Sequence, residues 1–133
     1  MPIKKTFCKE ERLCSKVLLD ALYAKSSSFL VYPYRVSWLL SMQPQLFPAK
    51  VVIGVSKKKF KRSVDRNLIK RKTREAYRKN KQELLYNPLM VHNCAILLAI
   101  NYIGKDIVKQ HIVDAKIKIV FSNLLTQINA SHD

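Results

Sequence analysis

The chain carries 25 Lys and Arg residues against nine Asp and Glu among its 133 residues, a formal net charge of +16, while 48% of it is hydrophobic. That much apolar material suffices for a core in one domain spanning residues 1–133 and excludes a wholly disordered basic protein; the charge narrows the partner to nucleic acid or an anionic membrane surface. No apolar run is long enough to cross a bilayer, no apolar signal core follows Lys4 and Lys5, and Cys8, Cys14 and Cys94 show no C-x-x-C spacing, so a cytoplasmic protein without a disulfide framework or zinc site is expected.

Residues 1–11 are polar and read as an extended or frayed arm. From Arg12 to Ala24, Leu13, Val17, Leu18, Ala21 and Leu22 recur at helical spacing, with Leu19 and Tyr23 flanking them, which predicts a short amphipathic helix. FLVYPYRVSWLLSM, beginning at Phe29, reads as a long strand with Tyr34, Val36, Trp38 and Leu40 on one face and Arg35, Ser37 and Leu39 on the other. Pro33 demotes its first half to an edge or irregular segment. Gln43 to Pro48 is a loop, and Lys50 to Ser56 is a second strand that leads into a basic helix. Asn87-Pro88 is expected to end that helix. CAILLAINYI from Cys94 predicts a strand buried on both faces. A last helix follows Gly104 and Lys105, with Ile112, Ala115, Ile119, Val120, Phe121, Leu124, Leu125 and Ile128 as its apolar stripe, and the tail NASHD frays. Helices interrupting a small sheet predict a two-layer α/β arrangement.

The basic stretch from Lys57 to Lys81, KKKFKRSVDRNLIKRKTREAYRKNK, dominates the charge: 13 of the 25 cations lie here with only Asp65 and Glu75 to offset them. Ser63 is the expected N-cap and Asp65 suits the positive end of the helix dipole. On a wheel with Val64 at zero, Arg66, Lys70, Lys81, Arg74, Asn67, Arg78 and Arg71 fall between roughly 200° and 340°, while Leu68, Ala76 and Ile69 fall between roughly 40° and 140°. A helix with its cations on one arc repels itself, and a polyanion relieves that repulsion. The modest apolar arc disfavours membrane binding, which needs a large one.

Little in the sequence points to a protein-borne active site. His92, His111 and His132 are scattered without metal-ligand spacing, nine acids leave few candidates for a carboxylate pair, and Gly54 and Gly104 cannot make a phosphate-cradling loop. Tyr23, Phe29, Tyr32, Tyr34 and Trp38 cluster in the first helix and strand. They read either as core or, with Arg35 among them, as a groove for single-stranded RNA.

From Val51 to Arg78 the text VVIGVSKKKFKRSVDRNLIKRKTREAYR, a strand followed by Ser-Lys-Lys and Arg-Asn-x-x-Lys-Arg-x-x-Arg, resembles the protein component of bacterial ribonuclease P. The family's Arg-Asn-Arg motif falls on Arg66, Asn67 and Leu68, so this chain departs from it at the third position. The resemblance implies an αβββαβα sandwich of the α+β class, similar to a ribosomal-protein domain, with a left-handed βαβ crossover through the basic helix. It also implies a protein subunit that carries no catalytic residue of its own, a large RNA performing Mg2+-dependent removal of the 5′ leader from precursor tRNA. Ser56, Lys57, Lys58, Arg66, Asn67, Lys70, Arg71 and Arg74 would bind the catalytic RNA. Leu19, Tyr23, Tyr34, Arg35 and Trp38 would hold the leader, Leu19 and Tyr23 standing where the family usually has two aromatics. Mg2+ would be held mainly by the RNA, and no membrane or obligate protein partner is expected. The alternative is a ribosomal or other structural RNA-binding protein.

Overall fold

The computed structural model describes residues 9–41 and 45–132, so the expected polar arm lies outside them up to residue 8, as does part of the Gln43–Pro48 loop. Two apolar runs supply neighbouring strands: β3 (Ala49–Val55) and β4 (Ile96–Tyr102) pair in parallel, Ala49 beside Ile96 and Val55 beside Tyr102. β2 (Tyr34–Leu40) pairs antiparallel with the other side of β4, and β1 (Ser27–Val31) adds to β2, giving the order β1-β2-β4-β3. The single long strand expected from Phe29 is therefore a hairpin, with Tyr32 and Pro33 in its turn. Pro33 has no N–H to offer a ladder, so the chain turns there and β1 takes the edge.

Strand alternation divides the sheet into two unlike faces. Val31, Tyr34, Val36, Trp38, Val51, Leu98, Ile100 and Tyr102 point to one side and join the main core. On the other side Leu97 and Ala99 meet Leu13 and Leu22 in a smaller cluster. Leu22 belongs to α1 (Lys16–Lys25), which starts where the Ser15 hydroxyl accepts from the Leu18 N–H at 3.4 Å. Helices on one face and sheet form the expected two layers, and short α1 covers part of the second face. β4 is consequently buried on both sides, as its nearly unbroken apolar run requires.

The basic helix α2 runs over Ser63–Lys81 with Asp65 in its first turn, where a negative charge suits the positive end of the helix dipole. Arg62 holds the cap position and Ser63 is the first helical residue, with no side chain capping. Ile69, Thr73, Ala76, Tyr77 and Lys81 are the buried residues, which centres the inward face near about 180° on the wheel. The expected apolar arc was thus misplaced by roughly a quarter turn: Ile69 and Ala76 do face the core, whereas Leu68 packs with neither core cluster among the described residues. Tyr77, inside the expected cationic arc, is fully buried, its ring edge-on to Phe121 at 5.7 Å.

Pro88 does not end the helix. In a regular α-helix it would clash with the carbonyl four residues back. Here a π-turn at Gln82–Tyr86 widens the coil, Asn87 N–H bonding back to Gln82 O, and α3 (Asn87–Val91) resumes with Pro88 in its first turn. The stop comes at Asn93, whose φ of 53° is left-handed, while Cys94 N–H returns to Leu89 O at 2.9 Å.

The last helix, α4 (Gln110–His132), packs on α2 and buries Val113, Ile117, Val120, Phe121, Leu124 and Ile128 in the main core. The stripe expected from the sequence shares Val120, Phe121, Leu124 and Ile128 with this set, but Ile119 and Ala115 face outward. The helix is apolar on more than one side, so periodicity alone could not choose between stripes. Residues 9–11 are not a frayed arm either: they form one 3-10 turn, and Glu11 is 1% exposed, its carboxylate accepting from the Lys81 ammonium and the Tyr86 hydroxyl.

Candidate nucleic-acid interface

The edge strand β3 ends at Val55, and after Ser56 the chain turns through exposed Lys57, Lys58 and Lys59 before α2 begins. Phe60 plugs this turn into the core, 6.0 Å from the Tyr102 ring, and Phe60 N–H bonds to Ser56 O at 3.1 Å. Arg66 braces the same turn, donating from one guanidinium nitrogen to Phe60 O at 2.8 Å and Lys61 O at 2.9 Å. Basic residues that would wander in a loose loop are thereby held beside the first turns of α2.

The cations of α2 fall into distinct groups. Lys81 is buried against Glu11, and Lys72 donates to Val108 O at 2.7 Å. Arg78 and Lys79 flank Glu75, and the Arg78 hydrogen bond holds the Glu75 carboxyl below the ordinary carboxylate range. Lys70, Arg71 and Arg74 have no acidic partner among the described residues; Arg74 donates only to Lys70 O, at 3.3 Å. Like them, Lys57 and Lys58 in the turn before α2 have no acidic partner among the described residues, and these five cations form an uncompensated flank. Asn67 is exposed beside them. Lys81, placed by the wheel with this row, belongs instead to the interior.

A residue the sequence reading missed joins this flank. Arg12 bridges to Val51 in parallel and Leu13 N–H donates to Val51 O at 2.9 Å, so the N-terminal segment covers part of the open β3 edge. Arg12, Cys14, Lys70 and Arg74 then line a groove of about 240 Å³ over Val51, Val52 and Ile53. Nothing local in the sequence marks Arg12, because its position depends on a pairing across the fold.

The second polar concavity lies on the face that α1 partly covers. Tyr23, Ser26, Ser28, Arg35, Ser37 and Asn101 surround a cleft of about 370 Å³. Tyr23 is 60% exposed, and Leu19 is half-buried against the smaller core cluster. Tyr34 and Trp38 are not in this cleft. Alternation puts them on the opposite face from Arg35, where Tyr34 is fully buried and bonds through its hydroxyl to Thr73 Oγ1 at 2.8 Å, and Trp38 Nε1 donates to Gln127 Oε1 at 2.8 Å. Burial pushes the Tyr34 hydroxyl up to about 12. The core reading of these two aromatics is the correct one.

Ser37 shares its strand face with Arg35, a signal already present in the alternation. Asn101 could have been found as the one amide in an otherwise apolar central strand. It sits between Arg35 on β2 and Gly54 on β3. A Cβ on Gly54 would lie 2.5 Å from Asn101 Oδ1, so glycine there makes the room in which the carboxamide rests.

Among the described residues no three His, Cys, Asp or Glu side chains converge, and no helix is long and apolar enough to cross a membrane. A mixed sheet with a cationic helix flank and, elsewhere, a polar, aromatic-edged cleft defines a small α+β protein whose two surfaces have the chemistry that suits a flexible polyanion. The sequence profile of the Ribonuclease P family matches residues 7–101, more than half of the chain, and the chain belongs to that family. The ribonuclease P protein components of two Porphyromonas gingivalis strains are each 38% identical to it over 76 residues, 57% of this chain and 56% of the relative, so the chain spans about half the length of these curated relatives. Solved structures of similar fold include the RNase P protein of Staphylococcus aureus, with a TM-score of 0.64, 19% identity and coverage of 86% of this chain and 94% of that one. The RNase P protein from Thermotoga maritima matches with a TM-score of 0.65, 20% identity and coverage of 88% and 96%.

Proposed function

We propose that this chain is the protein subunit of ribonuclease P. It binds the catalytic RNA through the α2 flank, holds the 5′ leader of precursor tRNA in the cleft beside α1, and so assists endonucleolytic removal of the leader to give the mature tRNA 5′ end. The observation that carries this reading is the row Lys70, Arg71 and Arg74, left uncompensated on a helix whose other cations are all engaged and preceded in the chain by exposed Lys57 and Lys58. Such a row suits phosphates, and Arg71 and Arg74 add bidentate geometry. Arg66 acts mainly as the brace that positions the row. Ser56 and Asn67 border it and supply neutral hydrogen-bonding groups.

In the cleft, Tyr23 offers a stacking face, Arg35 a counter-charge, and Ser26, Ser28, Ser37 and Asn101 hydrogen bonds to bases or ribose. Leu19 lies beneath as packing. Mg2+, held mainly by RNA phosphates, supplies the charge stabilisation that phosphodiester hydrolysis needs. The protein works in the cytoplasm with the catalytic RNA and precursor tRNA as its partners. Family membership supports this over a ribosomal protein with no part in catalysis.

Three measurements test the reading. The protein supplemented with Mg2+ but free of RNA is expected to cleave no precursor tRNA, and the same protein added to the ribonuclease P RNA is expected to tighten precursor binding; leader removal by the RNA-free protein would overturn the mechanism. Tyr23→Ala should weaken precursor binding to the assembled enzyme by about 1–3 kcal/mol and leave mature tRNA binding unchanged. Equal weakening of both RNAs would remove Tyr23 from the leader site.

A further inference from the structure

The outer face of α2 is not uniformly polar. Val64 and Leu68 stand one helical turn apart on it, so their side chains stack along the helix. Val64 is 64% exposed, and Leu68, which the wheel had turned towards the sheet, is half-buried while packing with neither core cluster among the described residues. With Asn67, Arg71 and Arg74 they line a shallow groove of about 520 Å³.

This lining has a chemistry that a surface for phosphates alone does not need. An apolar floor gives a phosphate nothing and is costly beside water, whereas a nucleobase plane buries well on it. The exposed Asn67 carboxamide presents a donor and an acceptor side by side, the pattern that matches a base edge, and makes no hydrogen bond among the described residues. Arg71 is equally uncommitted and Arg74 spends only Nε, on Lys70 O. Both cations suit the phosphates that flank a base.

We propose that this groove seats one unstacked base of the RNA bound by α2. The base lies on Leu68 and Val64, its edge faces Asn67, and its neighbouring phosphates face Arg71 and Arg74. Bases available for this come from loops and bulges, where they are splayed out of the helix. The inference rests on α2 being the RNA-binding flank and adds what Leu68 does there: it gives the contact a base-reading element that cations could not.

Salt dependence separates an apolar contact from an ionic one, because only neutralised phosphates release counterions. Affinity for a ribonuclease P RNA transcript is measured at several salt concentrations for the wild-type protein, Leu68→Ala, Leu68→Phe and the triple variant Lys70, Arg71 and Arg74→Ala, with thermal melting of each. Leu68→Ala should bind roughly fivefold more weakly at every salt concentration, on a line parallel to the wild type, with an unchanged melting temperature. Leu68→Phe should bind at least as tightly as the wild type, also in parallel. Affinity unchanged in Leu68→Ala, a Leu68→Ala loss that comes with an altered slope, or Leu68→Phe as weak as Leu68→Ala would each overturn the base site. If the triple variant keeps the wild-type slope, the RNA does not bind α2 at all and the proposed function fails with it; an altered triple slope beside an unaffected Leu68→Ala defeats the base site alone.

Discussion

Raising the salt concentration from 50 to 200 mM should weaken binding of the ribonuclease P RNA about a thousandfold, provided roughly six phosphates are neutralised. The proposed function assigns those contacts to cations that no acidic group neutralises. Lys57, Lys58, Lys70, Arg71 and Arg74 are free of acidic partners among the described residues, and Arg12 lines the adjoining groove. Arg78 and Lys79 share the Glu75 carboxylate, and Lys81 is inside the protein, so the 13 cations of the basic stretch overstate its reach. The decisive variant replaces Lys70, Arg71 and Arg74 by Ala. Each lost phosphate contact lowers the magnitude of the log–log salt slope by about 0.7–0.9, so the triple variant should fall short of the wild type by about 2–3. Because none of the three side chains is buried, melting should be unaffected. A wild-type slope in this variant would place the RNA on another surface.

Glu11→Ala should destabilise the fold by about 3–5 kcal/mol, the usual consequence of removing one member of a buried ion pair. Lys81 and Glu11 are 2% and 1% exposed, and the Tyr86 hydroxyl, itself bonded to the Tyr77 hydroxyl at 3.1 Å, also donates to Glu11. Burial raises the hydroxyls of Tyr77 and Tyr86, which keeps both protonated as donors. Removing the carboxylate therefore takes away the acceptor that the ammonium and the phenol share. For a chain of this size the melting temperature should drop by roughly 10 °C or more. Replacing Glu11 and Lys81 together by Met should recover most of the loss, since a buried pair is often replaceable by apolar side chains of similar volume. A loss under about 1 kcal/mol in Glu11→Ala would show that water reaches the pair. The pair also has a functional reach: it fixes the segment that carries Arg12 to the groove beside Lys70 and Arg74.

Much of this molecule is local in origin, and that part can be read from the chain. Apolar runs long enough to be strands, a helix without Gly or Pro from Ser63 to Lys81, and the strand–Ser-Lys-Lys–Arg-Asn series each state themselves over a few neighbouring residues. They sufficed for the central position of β4, for the family and for the order of the main elements, though not for the β1–β2 hairpin or for α3. Alternation in β2 even separated Arg35 and Ser37 from Tyr34 and Trp38; the error was to place all of these aromatics in one groove with Arg35, when a strand cannot present adjacent residues to the same side. Other features exist only because distant segments meet. The inward side of α2 was set by α4 and by Glu11, so a lysine became core and Leu68 became surface, although the wheel carries no hint of either. Pro88 passes inside a helical run because a π-turn precedes it, a hydrogen-bond shift that leaves no compositional trace. The cleft assembles Tyr23, Arg35 and Asn101 from a helix and two strands, and the cationic groove joins Arg12 to a helix almost sixty residues away. Periodicity tells how a segment divides its own faces, and only packing against the rest of the chain tells which of those faces is turned inward.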